Sequence, residues 1–427
     1  MRLRTTLLLG LLTGCATTSA SKPAGTPAER PAEAAPAPAP GTSPEATPAT
    51  APAQKPDLKA LAARELPPLT KQRVAAPDGS CTGEVEGVGA PTFQQQEGFL
   101  IMSVPLGTKG PLTCFVYAEP LDAGGALSRL LGMVGQHTEV QLARTTDVRL
   151  VNEAPTVYAE AQYLVNVPRG KAAGQAKLMV HTNEQVPLVC THDELGYTES
   201  FKRIASGLAS SLKAAGEPKP APRYAEFHLI RIQGHPVGFE RRTMNVVEGG
   251  SKMTEAETSL FLPRSARELL TQDTLHKELA DKEGRLVARD YARATNGEPD
   301  IQMSLEQVKG REYHYEGTHS GKELKGNFTA PQDLATDPST AKLLREQLLP
   351  GKKKELVMQA YSPAANPVAP VAQVWRREST KGRDVTLEMG TLKVTVTVDA
   401  QGMVEKTVVP MGGLEMVQER VSVRGTP

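Results

Sequence analysis

Four cysteines and eight histidines carry most of the nucleophilic and metal-binding chemistry open to this 427-residue chain, and their spacing decides how much of it is usable. Cys190 and His192 stand two apart in Val-Pro-Leu-Val-Cys-Thr-His, so on a strand they share a face, the minimum geometry for a thiolate with an imidazole base. No neighbouring residue orients the ring as a triad requires. Cys190-Thr191-His192-Asp193-Glu194 also gathers metal-ligand types, but a zinc site takes three or four converging ligands, and the sequence has no Cys-x-x-Cys and no His-Glu-x-x-His. The stretch is read as a strand end leading into a helix cap. His314 and His319 lie five apart in a strand pattern and so point to opposite faces. Lys352-Lys353-Lys354 follows a helix end, where cations complement the negative pole of the helix dipole. There is no Gly-x-Gly-x-x-Gly, no phosphate-binding loop and no Gly-x-Ser-x-Gly. The expectation is a protein that is not an enzyme, with no catalytic residues, no metal and no other cofactor.

Composition narrows the partners. Lys plus Arg total 49 against 48 Asp plus Glu, and aromatic residues are 4% of the chain with one Trp, Trp375. A near-neutral chain has no broad field for polyanions, and few aromatics leave little stacking surface, so nucleic acid is not an expected partner.

The elements that must position any site begin with an address. Arg2 and Arg4 precede an apolar stretch, Leu7 to Leu12, and Leu12-Thr13-Gly14 lead into Cys15. The apolar stretch is far shorter than the roughly 20 residues of a spanning helix, so it reads as a secretory signal, residues 1–14. Small residues before a cysteine resemble the lipobox of bacterial lipoproteins. The resemblance implies cleavage before Cys15, a thioether-linked diacylglycerol and an N-acyl chain (palmitate) on that residue, and attachment to the membrane through several acyl chains, which together hold stably. Ala16, in place of Asp, favours the outer membrane, with the folded part in the periplasm or at the cell surface. From Ser21 to Asp57 there are 10 Pro and 11 Ala in 37 residues, and no aromatic precedes Phe93. Such chain populates extended polyproline II and buries nothing, so residues 15–67 are assigned to a disordered tether.

An exported protein meets oxidising conditions, and Cys81, Cys114 and Cys190 then imply one disulfide with one thiol left over. Three pairings are open. Cys114 and Cys190, in similar apolar strand contexts, are the favoured pair.

Ala214-Ala-Gly-Glu-Pro-Lys-Pro-Ala-Pro222 divides the rest, giving folded regions at 68–215 and 223–427 joined by a linker at 216–222. In the first, residues 98–105, 112–118, 157–167 and 176–182 read as strands. Leu127, Leu130, Leu131 and Val134 mark one helix, and Phe201, Ile204, Leu208 and Leu212 another. The expected architecture is an α+β sandwich, and Gly-Tyr-Thr-Glu-Ser-Phe-Lys-Arg-Ile-Ala resembles the last helix of PsbP-like sandwiches.

The second region reads as consecutive strands at 224–232, 237–247, 256–262, 285–294, 301–308, 312–318, 323–329, 355–361, 392–398, 404–409 and 416–423. One helix, about 338–349, carries Leu343, Leu344 and Leu348 on one face. Gly-His-Pro-Val-Gly-Phe at 234–239, Val398-Asp-Ala-Gln-Gly402 and Gly413-Leu-Glu-Met-Val417 resemble the β-domain that precedes the catalytic core of periplasmic transglutaminase-like proteins, itself similar to the half-barrel of lipoprotein carriers. In that family a Cys-His-Asp core follows this domain; here Pro427 is reached without one. The resemblance implies a strongly curved antiparallel half-barrel plugged by the helix, with part of its concave face open. The expected function is a non-catalytic envelope lipoprotein that binds an apolar ligand along the Leu343–Leu344–Leu348 helix, or a partner protein. The alternatives are a scaffold lipoprotein or an enzyme with an unrecognised site.

Overall fold

The computed structural model describes residues 58–168, 170–217, 219–378 and 382–427. The signal, Cys15 and the tether up to residue 57 lie outside them. The described chain is mostly antiparallel β-sheet with few helices, and it forms no closed barrel.

The first region runs α1 (Leu58–Ala62), β1 (Thr70–Ala75), β2 (Cys81–Gly87), β3 (Thr92–Gln96), β4 (Phe99–Val104), β5 (Leu112–Tyr117), α2 (Ala123–His137), β6 (Glu139–Val151), β7 (Ala154–Val167), β8 (Gly170–His181), β9 (Leu188–Asp193), α3 (Thr198–Ser211) and β10 (Lys213–Ala214). Strands β3 to β9 make a seven-stranded sheet in the order 3-4-5-9-8-7-6, while β1, β2 and β10 make a small separate sheet. Because side chains alternate, register sorts the residues of the large sheet. Tyr158, Met179, Cys190 and Cys114 stand in one cross-strand row and face α3 and the small sheet in a core with Val74, Val85, Ile204 and Leu208. Val157, Val180 and Val189 stand in the adjacent row and face the other way, toward α2. Cys114 and Cys190 are direct cross-strand partners and form the disulfide. Cys81 is a buried free thiol.

Residues 58–67 correct the expected tether boundary. Glu65 accepts hydrogen bonds from the backbone N–H groups of Glu199 (3.0 Å) and Ser200 (2.7 Å), the first turn of α3. Arg64 pairs with Glu194 at 3.3 Å and lies over the Tyr197 ring. A helix start leaves N–H groups unsatisfied, and a carboxylate supplied from upstream chain satisfies them, so the fold begins earlier than aromatic content suggests.

The second region comprises β11 (Tyr224–Ile232), β12 (His235–Val246), β13 (Lys252–Ser265), β14 (Glu268–Ala280), β15 (Leu286–Thr295), β16 (Glu298–Lys309), β17 (Glu312–His319), β18 (Lys322–Thr329), α4 (Asp337–Leu343), a π-helical turn (Leu344–Leu348), β19 (Glu355–Ala360), β20 (Val371–Arg377), β21 (Asp384–Met389), β22 (Leu392–Val398), β23 (Val404–Met411) and β24 (Leu414–Gly425). All fourteen strands join one antiparallel sheet, with β24 beside β11 in its middle and β18 and β19 at its edges. Leu334, in the chain leaving β18, makes a parallel bridge to Gln359 of β19, and Phe328 stacks against Tyr313 and Tyr361. Aromatic packing thus fills the space between the two edges.

The helix of the second region is not the floor of an apolar groove. Leu344 and Leu348 are 0% exposed, packed with Trp375, Val385, Val394, Val396 and Val398, and Leu343 packs against the same cluster. An apolar sheet face must be covered to be hidden from water, and these three leucines are consumed in covering this one. The helix also changes character at Leu343, where α-helical bonding gives way to the π turn.

The two regions share a core. Leu127 and Leu130 of α2 contact Phe227, Phe239, Phe261 and Leu269 of the fourteen-stranded sheet in the same cluster as Val157 and Val180. At the start of α2, Asp273 of β14 accepts hydrogen bonds from the N–H groups of Gly124 and Gly125, both at 2.8 Å, and from the Ser259 hydroxyl at 2.7 Å. A Cβ on Gly124 would sit 2.7 Å from an Asp273 oxygen, so this approach requires glycine.

Candidate functional site

Beside the packed α2 contact, the same boundary opens into a cleft of about 720 Å³. Its walls are the β6–β7 turn (Asn152 to Ala154) and the β8–β9 loop (Thr182 to Gln185) of the first region, Lys219 to Pro222 of the connecting segment, and Arg241, Thr243, Asn245, Glu255, Glu257 and Ser422 to Arg424 of the second. This volume lies within the range of pockets that take a small molecule or a short peptide segment.

Ion pairs bridge the walls. Glu184 accepts from Arg241 at 3.0 Å and from Lys219 at 3.1 Å, and Glu153 pairs with Arg424. Asn152 and Glu153 both have positive φ, 48° and 63°, in a turn whose second position ordinarily favours glycine. The left-handed Glu153 is retained where its carboxylate meets Arg424. Across the sheet Arg241 is the cross-strand partner of Glu257. Arg241 is engaged by Glu184, and Glu255 by Lys277 at 3.4 Å. The Glu257 side chain has no hydrogen bond or ion pair among the described residues. Burial raises its carboxyl to about 8, opposed by Arg241 and reinforced by Asp122, Asp273 and Glu255. At neutral pH it is mostly a protonated acid, able to donate a hydrogen bond into the cleft.

The opposite face of the same sheet, toward α4, is buried and charged. Glu226 accepts from the Tyr224 hydroxyl at 2.6 Å and pairs with Arg242 and Arg420, each at 3.3 Å. Arg420 reaches Asp399 at 2.8 Å, and Arg242 reaches Glu240 at 2.8 Å and Asp337 at 3.4 Å. Glu278 accepts from Arg289 and from the Asp337 N–H at 3.0 Å. Burial penalises the Glu226 carboxylate, yet His228, Arg242 and Tyr224 outweigh that and hold it down at about 2. His276 is pushed down to about 3 by burial and by Arg289. A small cavity of about 220 Å³ lies at this face between Arg289, His276, Tyr291 and Asp337. Charges in such a place persist only when paired with one another.

The residues singled out from the sequence fall elsewhere. Cys190 is in the disulfide, so it is no nucleophile, and His192 faces Thr108 at 3.3 Å with its pKa lowered to about 4 by burial. Among the described residues no three His, Cys, Asp or Glu side chains gather as a metal site. His314 meets Asn327 at 2.6 Å across the sheet, and Lys352 to Lys354 are exposed. Sequence reasoning missed Arg241, Glu257, Asp273 and the ion pairs around Glu226 and Glu278. One signal was present: Glu240-Arg241-Arg242 inside a strand puts charge on both faces, which a strand with a single solvated face does not need.

No protein-family model and no curated protein matches the chain. Among solved structures, a β-barrel-like protein of domain of unknown function DUF1849 from Brucella abortus is 10% identical, covering 48% of this chain and 100% of its own, at a TM-score of 0.37. A DUF1089 family protein from Pseudomonas aeruginosa is 15% identical, covering 45% and 92%, at 0.27. A Bacteroides thetaiotaomicron protein is 12% identical, covering 36% and 52%, at 0.21. Likeness at this level carries no inference about activity or ligand.

Proposed function

We propose that this is a non-catalytic lipoprotein of the bacterial cell envelope, anchored through Cys15, that receives a segment of a partner protein in the cleft between its two regions. In this reading the first region is an α+β sandwich, and the second is a half-barrel turned from an open carrier into a filled support. The anchor rests on Arg2, Arg4, Leu7 to Leu12 and Cys15, and no helix among the described residues is long and apolar enough to cross a membrane. Replacing Cys15 by Ser removes lipid labelling and releases the protein from membranes; retention with unchanged leader processing rejects the anchor.

The observation that carries the binding reading is the cleft of about 720 Å³, walled by both regions and the connecting segment. The face toward α4, by contrast, is closed by Leu344, Leu348 and the ion pairs around Glu226, which argues against an apolar ligand there. Because α2 locks the regions together beside it, the cleft is preformed and a guest need not pay for closing a hinge. A photo-crosslinking residue at Thr243, in cells, captures a protein guest, whereas one at the exposed Val308 does not. No adduct at Thr243, or equal adducts at both, rejects the cleft as the site.

A further inference from the structure

The cleft reading has a chemical corollary, and the inference rests on that reading. We infer that the guest segment enters the cleft with a cationic side chain, Lys or Arg, seated on Glu257. The argument starts from pairing. Lys219, Arg241 and Arg424 each have a carboxylate partner in the cleft, and Glu255 has Lys277. Glu257 alone among the cleft's ionisable groups has none, although it is the direct cross-strand neighbour of Arg241.

The groups around Glu257 make a cation the matching guest. Glu255 lies two residues away on its own strand, so it shares the cleft face, and Arg241 on β12 is turned to Glu184 of the first region. On the other side β14 brings Asp273, which is committed to the start of α2 and to Ser259, and α2 is preceded by Asp122. Lys277 is held by Glu255 and Lys219 by Glu184. Three other carboxylates therefore act on Glu257, against one guanidinium already engaged. An anionic guest would meet Glu184, Glu255 and Asp273. A cationic guest gives Glu257 a counter-ion in a poorly hydrated place, where an ion pair with good geometry is stronger than in water. The acid form that predominates in the empty cleft then loses its proton to solvent, and the guest's positive charge stays on the guest.

Proton release makes binding depend on pH in one direction. Below about pH 8 each unit of rising pH strengthens binding of the cation by about tenfold, and above it the dependence levels off. The probe is a blocked pentapeptide, Gly-Ser-Lys-Ser-Gly, against the same peptide with Gln for Lys. Both are measured by calorimetry on the whole protein in two buffers of different protonation enthalpy.

The lysine peptide is expected to bind with release of about one proton and about tenfold tighter at pH 7 than at pH 6. The glutamine peptide is expected to bind at least about tenfold more weakly with no proton release. Glu257→Gln removes both the preference and the pH dependence, while Glu257→Asp keeps the proton release. Equal binding of the two peptides, or no binding of the lysine peptide while the Thr243 crosslink still captures its guest, overturns the cation assignment and leaves the cleft reading intact. Loss of the crosslink as well rejects the cleft itself.

Discussion

Two buried sheet faces of this protein are built differently. In the first region the face toward α3 centres on an apolar cluster, Met102, Leu112, Met179 and Leu208 around the Cys114–Cys190 bridge, and the same strand face also buries Glu160, Lys177, His181 and His192. In the second the face toward α4 sets Glu226, Arg242, Glu278, Arg289 and Arg420 against one another, beside apolar clusters around Leu344 and Trp375 and around Leu305 and Tyr313. The first face gains most of its free energy from the methylenes it hides, while the buried His181 and His192 make it sensitive to acid. The second gains little net stability from its ions, since desolvation consumes most of their attraction, but it allows one arrangement of partners and no other. The difference teaches where this protein places robustness and where it places specificity. The cleft backs onto the specific half, on the other side of the same strands.

The sharpest way to break the comparison is to orphan a charge. Arg289 is the buried partner of Glu278 and donates to the Tyr361 carbonyl. Arg289→Ala leaves Glu278 uncompensated and is expected to cost about 3 to 5 kcal/mol in urea unfolding; Arg289→Ala with Glu278→Ala recovers part of that loss. A single variant within about 1 kcal/mol of wild type means the face toward α4 is hydrated rather than dry.

The bridge offers the matching test of the apolar face. Its cysteines are 76 residues apart. Replacing both by Ser is expected to remove about 2 to 4 kcal/mol, measured by the same unfolding experiment, with an unchanged sheet by circular dichroism. A loss of less than about 1 kcal/mol would show that packing alone holds this sheet.

Acid separates the two faces by the pH at which each loses stability. Glu226 has a folded-state pKa near 2 against an ordinary 4.5, so the unfolded chain binds its proton first. The stabilisation is complete above about pH 6 and falls as pH drops, by about 2 kcal/mol at pH 3. Burial lowers His181 of β8 and His192 of β9 to about 4 against an ordinary 6.5, so the unfolded chain binds their protons first and stability there falls as pH drops below about 6.5. Hydrogen exchange followed from about pH 7 to about pH 3 is expected to lose protection in β8 and β9 before β11 and β12; the reverse order would mean that the ion pairs around Glu226 are the more acid-sensitive element.

Much of the fold was legible because apolar periodicity is local. Strands β4, β5, β7 and β11 are runs of β-branched and aromatic residues between turn signals, and α2 and α3 carry leucine or isoleucine stripes. Strand β14, Glu-Leu-Leu-Thr-Gln-Asp-Thr-Leu-His-Lys-Glu-Leu-Ala, was not legible. Its Leu, Glu, Lys and Ala favour helix in isolation, and it becomes a strand only because β13 and β15 pair with it on both sides. With it went Asp273, His276 and Glu278, and so the lock on α2 and half of the ion pairs around Glu226 and Glu278.

By itself the sequence determined what depends on neighbours along the chain: a short apolar run before Cys15, a stretch rich in proline and alanine, which segments alternate as strands, and three cysteines in one region. Tertiary structure alone decided which cysteines bond, since pairing is set by register between β5 and β9, and which charges are buried, since a strand's polar residues are solvated or enclosed according to what packs over them. It also decided that the leucines at 343, 344 and 348 fill a space rather than line one. The physical reason is the same in each case: a side chain's energy depends on its partners in space, and those partners lie tens to hundreds of residues away.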